Sequence, residues 1–297
     1  MSQEPQSQSI DQLRRVLRIP RRLAHRLILS SLRAAASFDS LFHGVYESYE
    51  EAQRHIPVHR RTGYNHQEAT TLYRHFMSSI RLSDYPVLFW LRQIINERSS
   101  VFDLGGHVGL AYYLFRRYLD FPDDLKWIVC DVPEICRAGL KIAQEKKQPQ
   151  LSFTTELRDV DGLEILLAAG ALQVIETPIA SILGQLERKP LHILINRTPL
   201  SDGASFFSVQ DFGTVVSPYH VFNRGEFVDS ILQQGYELVD SWPIAEPLCG
   251  SFVVRFHSEK SLHSYSGLYF RLRRDQRTPS DKHYDAVQQA GMVETPS

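Results

Sequence analysis

From about residue 98 to residue 273 short apolar runs alternate with amphipathic stretches, the pattern of strands separated by helices. Ser99 to Leu104 (S-S-V-F-D-L) predicts a first buried strand, with a helix at Leu110 to Tyr118 behind it. Trp127 to Asp131 (W-I-V-C-D) predicts the second, and Pro133 suits the first turn of a helix over Glu134 to Gln144. Leu151 to Thr155, Glu164 to Ala169 and Leu191 to Asn196 continue the series. Thr177-Pro178 reads as the N-cap and first residue of a helix to Leu186. Asn223 with Glu226 has the form of a capping box for a helix to Gln234, closed by Gly235. Tyr236 to Trp242 and Ser251 to His257 (S-F-V-V-R-F-H) complete the strands. Only about eight residues separate these last two, fewer than a parallel crossover needs, so the final strand is expected to be antiparallel.

Upstream, Asp84 to Asn96 (D-Y-P-V-L-F-W-L-R-Q-I-I-N) predicts a helix with Asp84 near its cap and Pro86 in its first turn. Residues 42 to 70 mix aromatic and charged positions without a clear period and are expected to form a helical and loop cap. Pro199 to Asn223 is long for a connection in a compact domain, which points to a lid or substrate loop. The expected organisation is an arm over 1–40, a cap and lead-in helix over 41–97, an α/β domain over 98–273 and a polar tail over 274–297. The expected fold is a Rossmann-like, seven-stranded, mostly parallel sheet with an antiparallel last strand and a helical N-terminal cap.

Composition narrows the picture. A chain of 297 residues with 43% hydrophobic content can bury a full core. A net charge of -1 offers no global field to recruit nucleic acid. Cys130, Cys136 and Cys249 have no C-x-x-C spacing, so a reduced, cytoplasmic setting is expected, without a disulfide framework or zinc site. No apolar run approaches the ~20 residues of a membrane span, and no signal peptide is evident. Asp11 to Ala36 carries seven arginines against one acid. That arm is read either as a basic helix packing on its own domain or a partner, or as a peripheral helix on anionic lipid. Met1 to Ser9 and the chain beyond Arg274 are polar and expected to be disordered or frayed.

The candidate chemistry lies at Asp103 followed by Gly105, Gly106 and Gly109. A strand that breaks into glycine-rich backbone before a helix frees N–H groups for a nucleotide-type cofactor. The G-x-G-x-x-G of dinucleotide sites is not matched, because His107 and Leu110 stand where glycines would be. Asp103 would repel a pyrophosphate and suits a cation such as the amino group of S-adenosylmethionine. Asp131 falls about twenty residues after Gly109, where a second strand delivers an acid to a ribose hydroxyl. Gln173 follows the small residues Gly170 and Ala171 at the end of the fourth strand, a candidate wall for the methyl pocket. Arg197 and Thr198 reach the same edge, and Gln210, Asp211, Tyr219 and His220 are polar candidates in the long connection. Arg197 is the candidate for orienting a substrate and His220 for a general base. No close cluster of acids and histidines suggests a metal.

These residues resemble a family of bacterial class I S-adenosylmethionine-dependent methyltransferases often encoded among surface-polysaccharide genes. The resemblance spans about Phe42 to Arg271. It rests on Gly44-Val45-Tyr46 with Glu50-Glu51-Ala52, Gly63-Tyr64, Tyr85-Pro86-Val87 and Asp103 through Gly109. Further motifs are Gly170 to Gln173, Asn196 to Leu200, Val221-Phe222-Asn223 and Tyr265 to Arg271. It implies S-adenosylmethionine as cofactor, a small molecule or glycan precursor as acceptor, and methylation on oxygen. One departure is His107, where methyltransferase loops commonly have the middle glycine of D-x-G-x-G-x-G. A Cβ there requires negative φ or a slightly opened loop, and the residue is read as a tolerated substitution. The rival readings are a catalytically inactive methyltransferase-like scaffold or cofactor-binding subunit and, third, a nicotinamide-dependent oxidoreductase.

Overall fold

The computed structural model describes residues 41–60, 63–71, 79–96, 99–244, 254–255, 261–262 and 265–277. The basic arm, its lipid or partner contact, the polar N-terminus and the tail beyond residue 277 lie outside the described residues, as does Cys249.

The centre of the fold is a seven-stranded sheet. Its members are β2 (Ser100–Leu104), β3 (Lys126–Cys130), β4 (Leu151–Thr154), β5 (Ile165–Ala169), β6 (His192–Thr198), β10 (Tyr236–Ile244) and β13 (Tyr265–Leu272), in the order β10-β13-β6-β5-β2-β3-β4. β2 pairs in parallel with β3 and β5, and β13 runs antiparallel to both β6 and β10. Both faces of the sheet centre are covered, so β2, β5 and β6 are buried almost throughout, as parallel strands require.

Strand alternation sorts the core into two layers. Phe102, Leu104, Leu166, Ala168, Ile193 and Ile195 face α5 (Ile179–Gly184) and α6 (Arg224–Leu232). Val101, Ile165, Leu167 and Leu194 face α2 (Tyr85–Ile94), α3 (Leu110–Phe115) and α4 (Pro133–Glu145). The same alternation places Asp103 on the α2–α4 side, the face of Val101. Among the described residues no helix is long and apolar enough to cross a membrane.

Four expectations are corrected. The strand beside β6 is Tyr265–Leu272 and not Ser251 to His257, although it is antiparallel as expected. Its slot is buried on both faces, and Leu268, Phe270 and Leu272 serve one layer while Tyr269 serves the other, its ring 4.5 Å from that of Trp90. Gly267 stands opposite Trp242, where a Cβ would fall 2.0 Å from the indole. Val254–Arg255 (β11) instead pairs with Ser261–Leu262 (β12) in a separate ribbon. The stretch from 199 to 223 is not a lid but strands β7 (Leu200–Ser201), β8 (Phe206–Asp211) and β9 (Val216–Asn223). The cap likewise opens on a strand, β1 (Leu41–Tyr46), before the helix α1 (Tyr49–His55). Together they make a second sheet in the order β1-β8-β9-β7, closed by Phe42, Phe206, Tyr219 and Val221. The α5 helix starts one residue later than expected, with Pro178 as its N-cap, whereas Asn223 caps α6 by accepting from the Glu226 N–H.

Phe270 is fully buried in β13. Phe270→Ala should lower stability by about 3–5 kcal/mol, read as a lower urea midpoint with an unchanged m-value.

Candidate functional site

The site grows from the C-terminal end of β2. Asp103 is 1% exposed, and its Oδ2 accepts a hydrogen bond from Trp127 Nε1 at 3.1 Å. Burial pushes the carboxyl up to about 7; the neighbouring Asp131 charge adds to this, while the Trp127 bond and the Arg197 charge oppose it. The next residues turn directly over this carboxyl. A Cβ on Gly106 would lie 2.4 Å from it, and one on Gly105 would lie 2.3 Å from the Ala171 Cβ. Gly105 and Gly109 also adopt φ of +68° and +88°, a region costly for other residues. The glycines therefore serve close packing within the chain itself. Gly109 caps α3, and the Gly105 N–H donates to the Cys130 carbonyl at 2.8 Å, which ties the loop to β3.

Asp131 follows β3 and faces the same loop. Its Oδ2 accepts from the His107 N–H at 2.9 Å and its Oδ1 from the Val132 N–H at 2.8 Å. Burial raises this carboxyl to about 6 against the pull of those two bonds. His107 departs from expectation, because it takes φ +55° where negative φ or an opened loop was required. Such a conformation costs on the order of 1–3 kcal/mol and persists only where neighbours hold it. Here the backbone is held by Asp131 and the ring by the Ala69 carbonyl, 3.0 Å from Nε2. His107 thus fastens the short 3-10 turn Gln67–Thr71 over the glycine loop, and burial keeps its ring neutral.

The other flank lies where β5 and β6 end. Gln173 is 8% exposed; its Nε2 donates to the Gly170 carbonyl at 3.0 Å, and its buried Oε1 has no hydrogen-bond partner among the described residues. Arg197 adopts φ +55°, and its guanidinium pairs with Asp84 Oδ1 while reaching the Ala169 carbonyl at 3.3 Å. Asn196, fully buried, donates to the Ser83 carbonyl at 2.9 Å and to Asp84 Oδ1 at 3.2 Å. Asp84, 2% exposed, was expected only near a helix cap. Its side chain makes no cap bond to α2 and instead joins that helix to β6. A buried acid before a proline-led helix and a lone arginine at the sheet edge are the signals that would have paired them.

Asp103, Gly105, Gly106, Gly109 and Asp131 thus form one cluster, and Gln173 and Arg197 flank it around Gly170. The expected base does not join them. His220 donates its backbone N–H to the Gln173 carbonyl at 2.7 Å, yet its ring stacks between Phe207 and Phe222 at 3.9 Å from each. Its Nε2 lies 2.7 Å from Ser205 Oγ, and burial pushes it down to about 4. It lines a cavity that includes none of the glycine-loop residues. The other polar candidates are engaged elsewhere: Asp211 pairs with Arg60 at 2.9 Å, Tyr219 bonds Tyr265 at 2.7 Å, and Gln210 is buried in β8.

No protein-family model and no curated protein sequence matches the chain. Solved structures similar to part of it include the 1,6-didemethyltoxoflavin-N1-methyltransferase of Burkholderia thailandensis with bound S-adenosylhomocysteine. That protein is 18% identical over 70% of this chain and 90% of its own, with a TM-score of 0.45. The magnesium protoporphyrin IX methyltransferase of Synechocystis PCC 6803 is 13% identical over 72% and 97%, with a TM-score of 0.44. The mitomycin 7-O-methyltransferase MmcR is 13% identical over 76% and 61%, with a TM-score of 0.42.

Two outcomes follow from this geometry. Asp103 holds its proton to about 7 when folded but ordinarily titrates near 3.8, so its contribution to stability is full below pH 3.8 and is lost as pH rises towards 7. Relative to Asp103→Asn, the wild type should lose stability over that interval in denaturant melts. Asp84→Ala strands a largely buried guanidinium and should cost about 3 kcal/mol, most of it recovered in Asp84→Ala/Arg197→Met.

Proposed function

We propose that the chain is an S-adenosylmethionine-dependent methyltransferase whose acceptor is a hydroxyl of a small molecule or glycan precursor. The observation that carries this reading is the set of acceptors at the end of β2. A carboxyl buried beneath a glycine loop, a second carboxyl beside it and the unpartnered Gln173 oxygen are all hydrogen-bond acceptors. Such a set suits a ligand that is cationic and rich in donors, and it opposes a pyrophosphate. An opposite charge placed beside Asp103 would offset the desolvation that now raises its pKa.

S-adenosylmethionine supplies, when bound, an electrophilic methyl group on a sulfonium. Asp103 would hold its amino group, with Gly105, Gly106 and Gly109 letting the backbone approach. Asp131 would take the ribose, since each carboxylate oxygen keeps a lone pair beyond the N–H it already accepts. Gln173 would border the methyl group. Displacement at a sulfonium is in-line, so holding the acceptor atom in place accounts for most of the work. Arg197, fixed by Asp84, is the residue proposed to orient the acceptor. His220 pins the Gln173 segment through its backbone N–H, and its ring lines the neighbouring cavity away from the glycine loop.

His107 favours the alternative of an inactive scaffold, since its N–H takes one lone pair of Asp131 and its ring closes the cap over the loop. Calorimetric titration of S-adenosylmethionine and S-adenosylhomocysteine separates the two. The methyltransferase reading expects micromolar binding that weakens roughly 10- to 150-fold in Asp103→Ala, the loss of one charge-assisted bond. Absence of wild-type binding at millimolar cofactor would leave the scaffold.

A further inference from the structure

The cavity beside His220 has a chemistry of its own. It encloses about 210 Å³ between α5, α6 and the β8–β9 hairpin. That is less than the ~300–1,000 Å³ of sites for drug-sized ligands and suits a single-ring molecule. One wall is an aromatic ladder. Phe207 and His220 pair across β8 and β9 with rings 3.9 Å apart and 20° from parallel, and His220 meets Phe222 at 3.9 Å. Phe222 meets Phe227 of α6 at 4.9 Å.

The polar lining is one-sided in charge. Glu176 and Glu226 are exposed carboxylates, and among the described residues no lysine or arginine lines the cavity. The imidazole cannot supply a positive charge near neutral pH, because burial lowers its pKa to about 4. Because Phe207 and His220 stack on each other, the wall offers apolar contact for a ligand ring, and the carboxylates at its edge attract a positive charge on that ligand. An anionic ligand would meet two like charges and no counter-ion.

We propose that this cavity is a second small-molecule site that binds a single-ring organic cation, its ring along Phe207, His220 and Phe222 and its charge at Glu176 and Glu226. The site goes beyond the methyltransferase reading and stands whether or not the glycine loop takes a cofactor. Leu172 lines the cavity while the adjacent Gln173 flanks the glycine loop, so the two sites share one stretch of backbone.

The test uses benzyltrimethylammonium, which bears no proton to exchange for a methyl group and so reports binding alone, with benzyl alcohol as its neutral counterpart. Calorimetry on the full chain should show saturable millimolar or tighter binding of the cation, at least about fivefold stronger than the alcohol. Glu176→Gln/Glu226→Gln, both at exposed positions, should weaken the cation roughly 5- to 30-fold and leave the alcohol unchanged. Asp103→Ala should leave the cation's affinity unaltered. Absence of saturable binding, equal binding of cation and alcohol, or full affinity in the double glutamine variant would overturn the proposal. So would loss of the cation in Asp103→Ala, which would move the ligand to the glycine loop and leave the cofactor reading intact.

Discussion

Burial of the Asp103 carboxyl at the centre of the parallel sheet is the constraint around which the rest of the site is built. An ionised group taken from water costs several kcal/mol unless it is paired, hydrogen-bonded or neutralised. The chain meets that demand with the Trp127 indole, the charge of Arg197 and partial retention of the proton. The glycine loop then has its shape because it must pass over this group. Gly106 leaves room for the carboxyl and Gly105 for Ala171, so the glycine loop is first a packing solution.

A second constraint radiates from Arg197. Its strained backbone, its pairing with Asp84 and its bond to the Ala169 carbonyl join α2 to the ends of β5 and β6. Left-handed backbone at His107 and Arg197 brackets the cluster, and in both cases neighbouring bonds hold a conformation a lone residue would avoid. Stored strain of this kind fixes where polar atoms point before a ligand arrives. The small β1-β8-β9-β7 sheet lies beside this edge, and the His220 N–H bond to the Gln173 carbonyl ties it to the end of β5.

Much of this was legible in the amino-acid sequence, for reasons that are local. Apolar runs, proline at helix starts and Asn223 before Glu226 mark β2 to β6, α4 and α6 through periodicity and capping, which depend only on neighbours. Asp103, the three glycines and Asp131 were identifiable because a strand-end acid and a glycine break are themselves local signals. The antiparallel end of the sheet was also foreseen, although the strand that supplies it was not.

What only the tertiary structure decided depends on contacts between residues far apart in the chain. β13 holds its slot because two buried faces must be filled at once, a condition no seven-residue window such as Ser251 to His257 reveals. β8 and β9 read as a loop because Pro199, Pro218 and scattered polar residues blur their alternation, and β1 completes their sheet from far upstream in the chain. The Asp84–Arg197 pair spans |i−j| of 113, and the His107 ring meets a carbonyl in the cap at |i−j| of 38. The sequence determined which residues could bind and react. Side-chain direction, set by strand register and long-range packing, determined that Arg197 turns to Asp84 and the end of β5 and that the ring of His220 turns to Phe207 and Phe222.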